Sequence, residues 1–89
     1  MKHKFQSVWR KINTHLNNAF NILSNNKIYS SDMELKKYIS HNEFELALDR
    51  LEIIGNANDV HKEFWKELFK AAKLMKLENK QKQYLSNCK

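Results

Sequence analysis

Residues 42–75, NEFELALDRLEIIGNANDVHKEFWKELFKAAKLM, decide the fold. In their first half Phe44, Ala47, Leu48, Leu51 and Ile54 recur at three- and four-residue intervals, the spacing of one face of an α-helix. Glu45, Asp49 and Glu52 recur at four and three residues on the opposite side. The second half carries Val60, Phe64, Trp65, Leu68, Phe69, Ala71, Ala72 and Met75, a band wide enough to form the centre of a core. Between the halves stand Gly55 and the polar run Asn56 to Asp59. The expected arrangement is a helix over about 42–54, Gly55 as its left-handed C-terminal cap, a turn, and a second helix capped by Asn58 or Asp59.

Working outward, Phe5, Val8, Trp9, Ile12, Leu16, Phe20 and Leu23 lay down the stripe of one long amphipathic helix, expected over about 3–24. Asn25 to Lys27 tolerate a helix end, and Ile28 to Ser30 read as a short connection. Ser31 with Glu34 has the spacing of a capping box, and Met33, Leu35, Tyr38 and Ile39 continue it as a short helix. Ser40 with Glu43 repeats that spacing, so the chain restarts there. Beyond residue 75, Leu77, Tyr84 and Leu85 suggest a last, weaker helix after a break near Glu78 or Asn79. One glycine and no proline in 89 residues argue against hairpins and sandwiches, whose tight turns need positive or preset φ. The fold class expected is all-α: residues 1–89 as a single small bundle of four to five helices.

A chain this short builds one modest core and no deep multilayered pocket. No run approaches the ~20 apolar residues of a membrane span, and the polar N-terminus lacks the apolar centre of a signal peptide, so a soluble cytoplasmic protein is expected. Cys88, the sole cysteine, excludes an internal disulfide. His3, His15, His41 and His61 include no pair three or four residues apart, and neither CxxC nor HExxH occurs. The serines lack a Gly-x-Ser-x-Gly context, and one glycine cannot build a phosphate-cradling loop. No catalytic residue, metal ligand or cofactor is expected. Most aromatic residues should be core; Tyr29 and Tyr38, near a connection, are candidate interface anchors.

Charge falls in blocks. Residues 1–27 hold five bases and no acid, residues 28–69 nine acids against five bases, and residues 70–89 six lysines against Glu78 alone. Basic ends leave open a helical nucleic-acid-binding or regulatory protein. That reading is weakened because no helix-turn-helix stands out, and the helix after Gly55 opens with Asp59, Glu63 and Glu67, which would repel a phosphate backbone. The acids Glu45, Asp49 and Glu52, with Glu43 adding, form either a solvated face or a docking surface for a basic partner.

The run from His41 to Leu77 also resembles a known family. Its two parts, a helix patterned hNExeLALdxL ending at Gly55 and a helix patterned FWxxLxxAAxxMxL, look like the small helical immunity proteins of bacterial polymorphic toxin systems. These include contact-dependent growth inhibition immunity proteins and the MafI-type group. The similarity covers roughly residues 35–80. It implies a non-catalytic inhibitor whose partner is a cognate toxin C-terminal domain, often a nuclease and frequently one that cleaves tRNA, with no direct nucleic acid and no membrane as partners. The matching positions Phe44, Leu46, Ala47, Leu48, Leu51, Phe64, Trp65, Leu68, Ala71, Ala72 and Met75 read as core, so the resemblance carries the scaffold and not the contact residues. The acidic set Glu43, Glu45, Asp49 and Glu52 is the expected partner-binding surface.

Overall fold

A computed structural model of the protein describes residues 2–25 and 33–88, with the side chains of residues 2–6 and 33 left out. The expectations for Phe5, Tyr29, Ser31, the Met33 side chain and the connection after Asn25 therefore lie outside the described residues. Five helices follow in order: α1 (Lys2–Asn25), α2 (Met33–Ser40), α3 (Phe44–Ala57), α4 (Lys62–Leu74) and α5 (Glu78–Asn87). No strand occurs among the described residues. The molecule measures 41 × 28 × 17 Å.

Helix α4 is the hub, packing on α1, α3 and α5, while α2 lies against α3. Its Phe64, Trp65, Leu68, Ala71 and Ala72 are buried against Ile12, Leu16, Ala19 and Leu23 of α1 and the Phe44, Ala47, Leu48, Leu51 and Ile54 face of α3. Leu35 and Ile39 of α2 and Tyr84 of α5 complete the core. The three-and-four periodicity is thus realised on α1 to α4, while α5 buries Tyr84 alone. Two expectations of burial fail here. Trp9 is 48% exposed, its ring meeting Phe44 edge-on at 6.5 Å, and Leu85 lies on the surface.

Turns are made without the residues that usually signal them. At the end of α2 the Asn42 backbone is left-handed (φ 58°), the Asn42 amide donates to the Ile39 carbonyl and the Glu43 amide to the Tyr38 carbonyl. That pair of bonds is a Schellman closure. The expected Ser40–Glu43 capping box is replaced by it: the Ser40 hydroxyl donates back to the Lys37 carbonyl, and Glu43 precedes α3 with no side-chain cap bond. The same closure ends α4, where Lys76 (φ 59°) donates to Lys73 and Leu77 to Ala72. The break before the last helix therefore falls at Lys76, and Glu78 and Asn79 open α5 instead of interrupting it.

Gly55 is not a cap. Helix α3 runs two residues past it, no glycine has positive φ, and Gly55 is buried where α4 crosses. A Cβ there would stand 2.6 Å from Phe64 Cε2 and 2.9 Å from two carbons of the Trp65 ring. Its role is close helix approach. Asn58 closes α3, its side-chain amide donating to the Ile54 carbonyl at 2.8 Å. The N-cap of α4 is His61, whose Nδ1 accepts from the Glu63 amide at 3.2 Å, in place of the expected Asn58 or Asp59.

Candidate functional site on the outer face of α3

Helix α3 turns Phe44, Ala47, Leu48, Leu51, Ile54 and Gly55 inward, which fixes the direction of everything else on it. At 100° per residue, Leu46 and Ile53 lie within about 20° of each other and point away from the core. They are 49% and 59% exposed, separated by two turns, or about 10 Å along the axis. Leu46, expected to be core, is instead a surface residue. Its position off the 44, 47, 48, 51, 54 stripe is the signal that distinguishes it, and Ile53 repeats it seven residues on.

The four acids divide into two pairs. Glu43 and Glu45 are exposed, at the N-terminal end of the ridge made by Leu46 and Ile53. Asp49 and Glu52 flank the ridge on the side of α5, where Lys80 pairs with both. Glu52 is the most enclosed of the four, its side chain 21% exposed. One of its oxygens accepts from the Tyr84 hydroxyl at 2.7 Å and from Lys80 Nζ at 3.0 Å.

These contacts set the ionisation of the group. Burial alone would raise the Glu52 carboxyl, but hydrogen bonds from Tyr84, Lys80 and Gln83 outweigh it and hold Glu52 below the usual carboxylate value. For Lys80, burial favours loss of the proton, and the bonds to Asp49 and Glu52 reverse that, leaving the ammonium held more tightly than usual. Tyr84 is pushed far above the ordinary tyrosine range, first by burial and then by the neighbouring Glu52 charge, so its hydroxyl stays a donor. The acidic stripe is therefore part structural clamp and part free surface: Glu52 fastens α3 to α5, Asp49 shares its cation, and Glu43 and Glu45 are left to face solvent.

A second carboxylate bridges two other helices. Glu67 of α4 meets His15 Nδ1 at 2.8 Å and the Asn18 amide nitrogen at 3.1 Å, both from α1, with Lys70 at 3.7 Å. His15 is thus a boundary residue with a partner. Tyr38, a candidate anchor, is half-buried and donates to Glu34 at 2.9 Å. Among the described residues no group of three or more His, Cys, Asp or Glu side chains could hold a metal ion, and no helix is long and apolar enough to cross a membrane.

Comparison with protein-family models, with curated proteins and with solved structures returned no match.

Proposed function

We propose that the protein is an immunity protein that binds a cognate toxin domain and neutralises it, the toxin being a nuclease and the outer face of α3 the docking surface. The reading joins the resemblance of residues 35–80 to one physical observation: an exposed apolar ridge, Leu46 and Ile53, headed by the exposed carboxylates Glu43 and Glu45 and flanked by Asp49. Apolar side chains of that size gain by desolvation at an interface. Carboxylates at the rim favour a partner surface of opposite sign, raising the association rate and rejecting partners of like charge. A nuclease must be basic where it holds phosphates. An acidic flank beside apolar anchors suits that surface, and occupying it excludes the substrate sterically and electrostatically.

The test is growth of cells expressing the C-terminal domain encoded immediately upstream of this gene, with and without the protein, followed by co-elution of the pair. Rescue with a stable complex is the expected result. A harmless neighbour, or a toxic one that the protein neither binds nor neutralises, overturns the proposal.

A further inference from the structure

The geometry points to a second site, independent of the α3 face: a groove between α1 and α2 that binds single-stranded nucleic acid. The groove encloses about 450 Å³ and is walled by Asn13, Asn17, Asn21, Phe20, Asn42 and Lys36. Among the described residues no acid lines it, and the sequence of α1 contains none.

Three features converge there. First, Asn13, Asn17 and Asn21 stand four residues apart on α1, so their carboxamides repeat about every 6 Å along the groove. Asn17 donates to both the backbone and the side-chain oxygen of Asn13 at 2.9 Å, which orders the row. Asn42 faces it from the α2–α3 turn, where its left-handed backbone fixes its position. Both Asn17 amide hydrogens are committed to Asn13, so Asn17 offers its oxygen, and the donors for base edges and sugar hydroxyls come from Asn13, Asn21 and Asn42.

Second, the groove has aromatic faces. Phe20 is half-buried in its wall, and Trp9 extends the same side of α1 one turn beyond Asn13, half-exposed and braced edge-on by Phe44. A core has no use for an indole left at the surface, but unpaired bases stack on one. Third, cations sit where phosphates would run. The Lys36 ammonium lies 5.8 Å above the Phe20 ring, covering that face so that stacking falls to Trp9, and Arg10 follows Trp9 on the exposed side of α1. The combination of all three is that of a single-strand channel. The lysine-rich C-terminal block, where the sequence alone invites a nucleic-acid contact, offers no such arrangement among the described residues: the groove there, between Phe69, Glu78, Gln81, Lys82 and Leu85, contains a carboxylate.

The experiment titrates the full chain with fluorescein-labelled oligouridylate of about ten nucleotides and its deoxythymidylate counterpart, following anisotropy and tryptophan emission. Trp65 is buried, so quenching reports on Trp9. Binding with quenching is expected, and two phosphate contacts, to Arg10 and Lys36, give a salt slope of about −1.4. Trp9→Ala should weaken affinity about tenfold. Asn17→Ala and Lys36→Ala should weaken it as well, whereas Lys73→Ala on α4 and Lys82→Ala on α5 leave it unchanged. Binding of both oligonucleotides, or of the ribose form alone, supports the site, the second adding recognition of the 2′-hydroxyl. No binding at low salt overturns it. So does binding that Lys73→Ala or Lys82→Ala weakens as much as Lys36→Ala while Trp9→Ala has no effect, since that is general charge attraction. Loss of toxin binding in the Trp9 and Asn17 variants without any oligonucleotide affinity also overturns it, assigning the groove to the protein interface.

Discussion

The Tyr84 hydroxyl of α5 donates to Glu52 of α3 at 2.7 Å, and it does so between helices whose Cα traces nowhere come within 8 Å of each other. The ring of Tyr84 lies 5.8 Å from that of Trp65 on α4, tilted by 31°. Helix α5 is thus fastened twice, by apolar contact to α4 and by side-chain hydrogen bonds across to α3. Tyr84→Phe keeps the first and removes part of the second. A hydrogen bond to a charged group contributes about 1.5–3 kcal/mol, and Lys80 still serves Glu52, so a loss of about 1–2 kcal/mol is expected. For a domain of this size that lowers Tm by several degrees. Thermal unfolding followed by circular dichroism checks it; an unchanged Tm would mean the hydroxyl does not hold α5.

Acid should loosen both carboxylate bridges. Burial raises Glu52 and Glu67, yet their hydrogen-bond partners hold both below the ordinary 4.5. A carboxyl group whose pKa is lower in the folded than in the unfolded chain contributes stability that is complete above its unfolded value and lost as pH falls through its folded value. Stability should therefore decline as pH drops past about 4.5 and keep declining below it. In Glu52→Gln/Glu67→Gln, stability is lower at neutral pH and the acid-side slope is shallower, so the two curves converge at low pH. Urea unfolding across the acid range measures this, and parallel curves would exclude the two bridges as its source.

At Gly55 two effects oppose each other. Alanine favours a helix interior by about 1 kcal/mol over glycine. The added Cβ would meet Phe64 at 2.6 Å and Trp65 at 2.9 Å, buried rings that cannot swing aside without moving α4. Overpacking of this kind costs about 1–3 kcal/mol. Gly55→Ala is expected to destabilise on balance, by up to about 2 kcal/mol, and a more stable variant in urea unfolding would show that α3 and α4 separate freely.

Lys76 is the reverse case. It holds the left-handed position of the α4 closure, at φ 59°, where a side chain costs about 1 kcal/mol and glycine does not. Its side chain is exposed, so little packing is lost on removal. Lys76→Gly should stabilise the protein by about 0.5–1 kcal/mol, raising Tm, whereas Lys76→Val should lower it.

These positions show what the sequence carries and what it does not. The five helices and most of their inward faces are legible because burial imposes one period on residues close in sequence, as with Phe44, Ala47, Leu48, Leu51 and Ile54. Caps are less legible: several residue types satisfy the same backbone groups, so Asn42, His61 and Lys76 stand where serine, aspartate and glycine would be sought. Gly55 was misleading because glycine serves positive φ and close packing equally, and only the arrival of Phe64 and Trp65 separates the two. The site was half legible. Glu45, Asp49 and Glu52 share a period, but the clamp on Glu52 depends on Tyr84, thirty-two residues away in sequence. Leu46 was legible from its place off the inward stripe, whereas Trp9 lies on the α1 stripe and its exposure is set by where Phe44 meets its ring, which no local pattern encodes.

The division of the acidic stripe gives the proposed interface its sharpest prediction. Replacing Glu45, Asp49 and Glu52 together by lysine would break the link to Tyr84 and Lys80 and so change the packing of α5 along with the surface charge. Variants confined to exposed positions avoid this. Glu43→Lys/Glu45→Lys places cations at the N-terminal end of α3 and should cost about 1 kcal/mol of stability, leaving the protein folded, and chiefly slow association with the toxin, because rim charges act on the encounter. Leu46→Asp and Ile53→Asp should also leave the fold intact, since neither side chain fills the core. As central anchors they should each cost about 2 kcal/mol or more of binding, seen as faster dissociation. Surface plasmon resonance on the toxin pair, with thermal unfolding of each variant alone, separates the two effects. Normal dissociation of Leu46→Asp and Ile53→Asp would show that the toxin does not rest on α3, whatever the acids do to its approach.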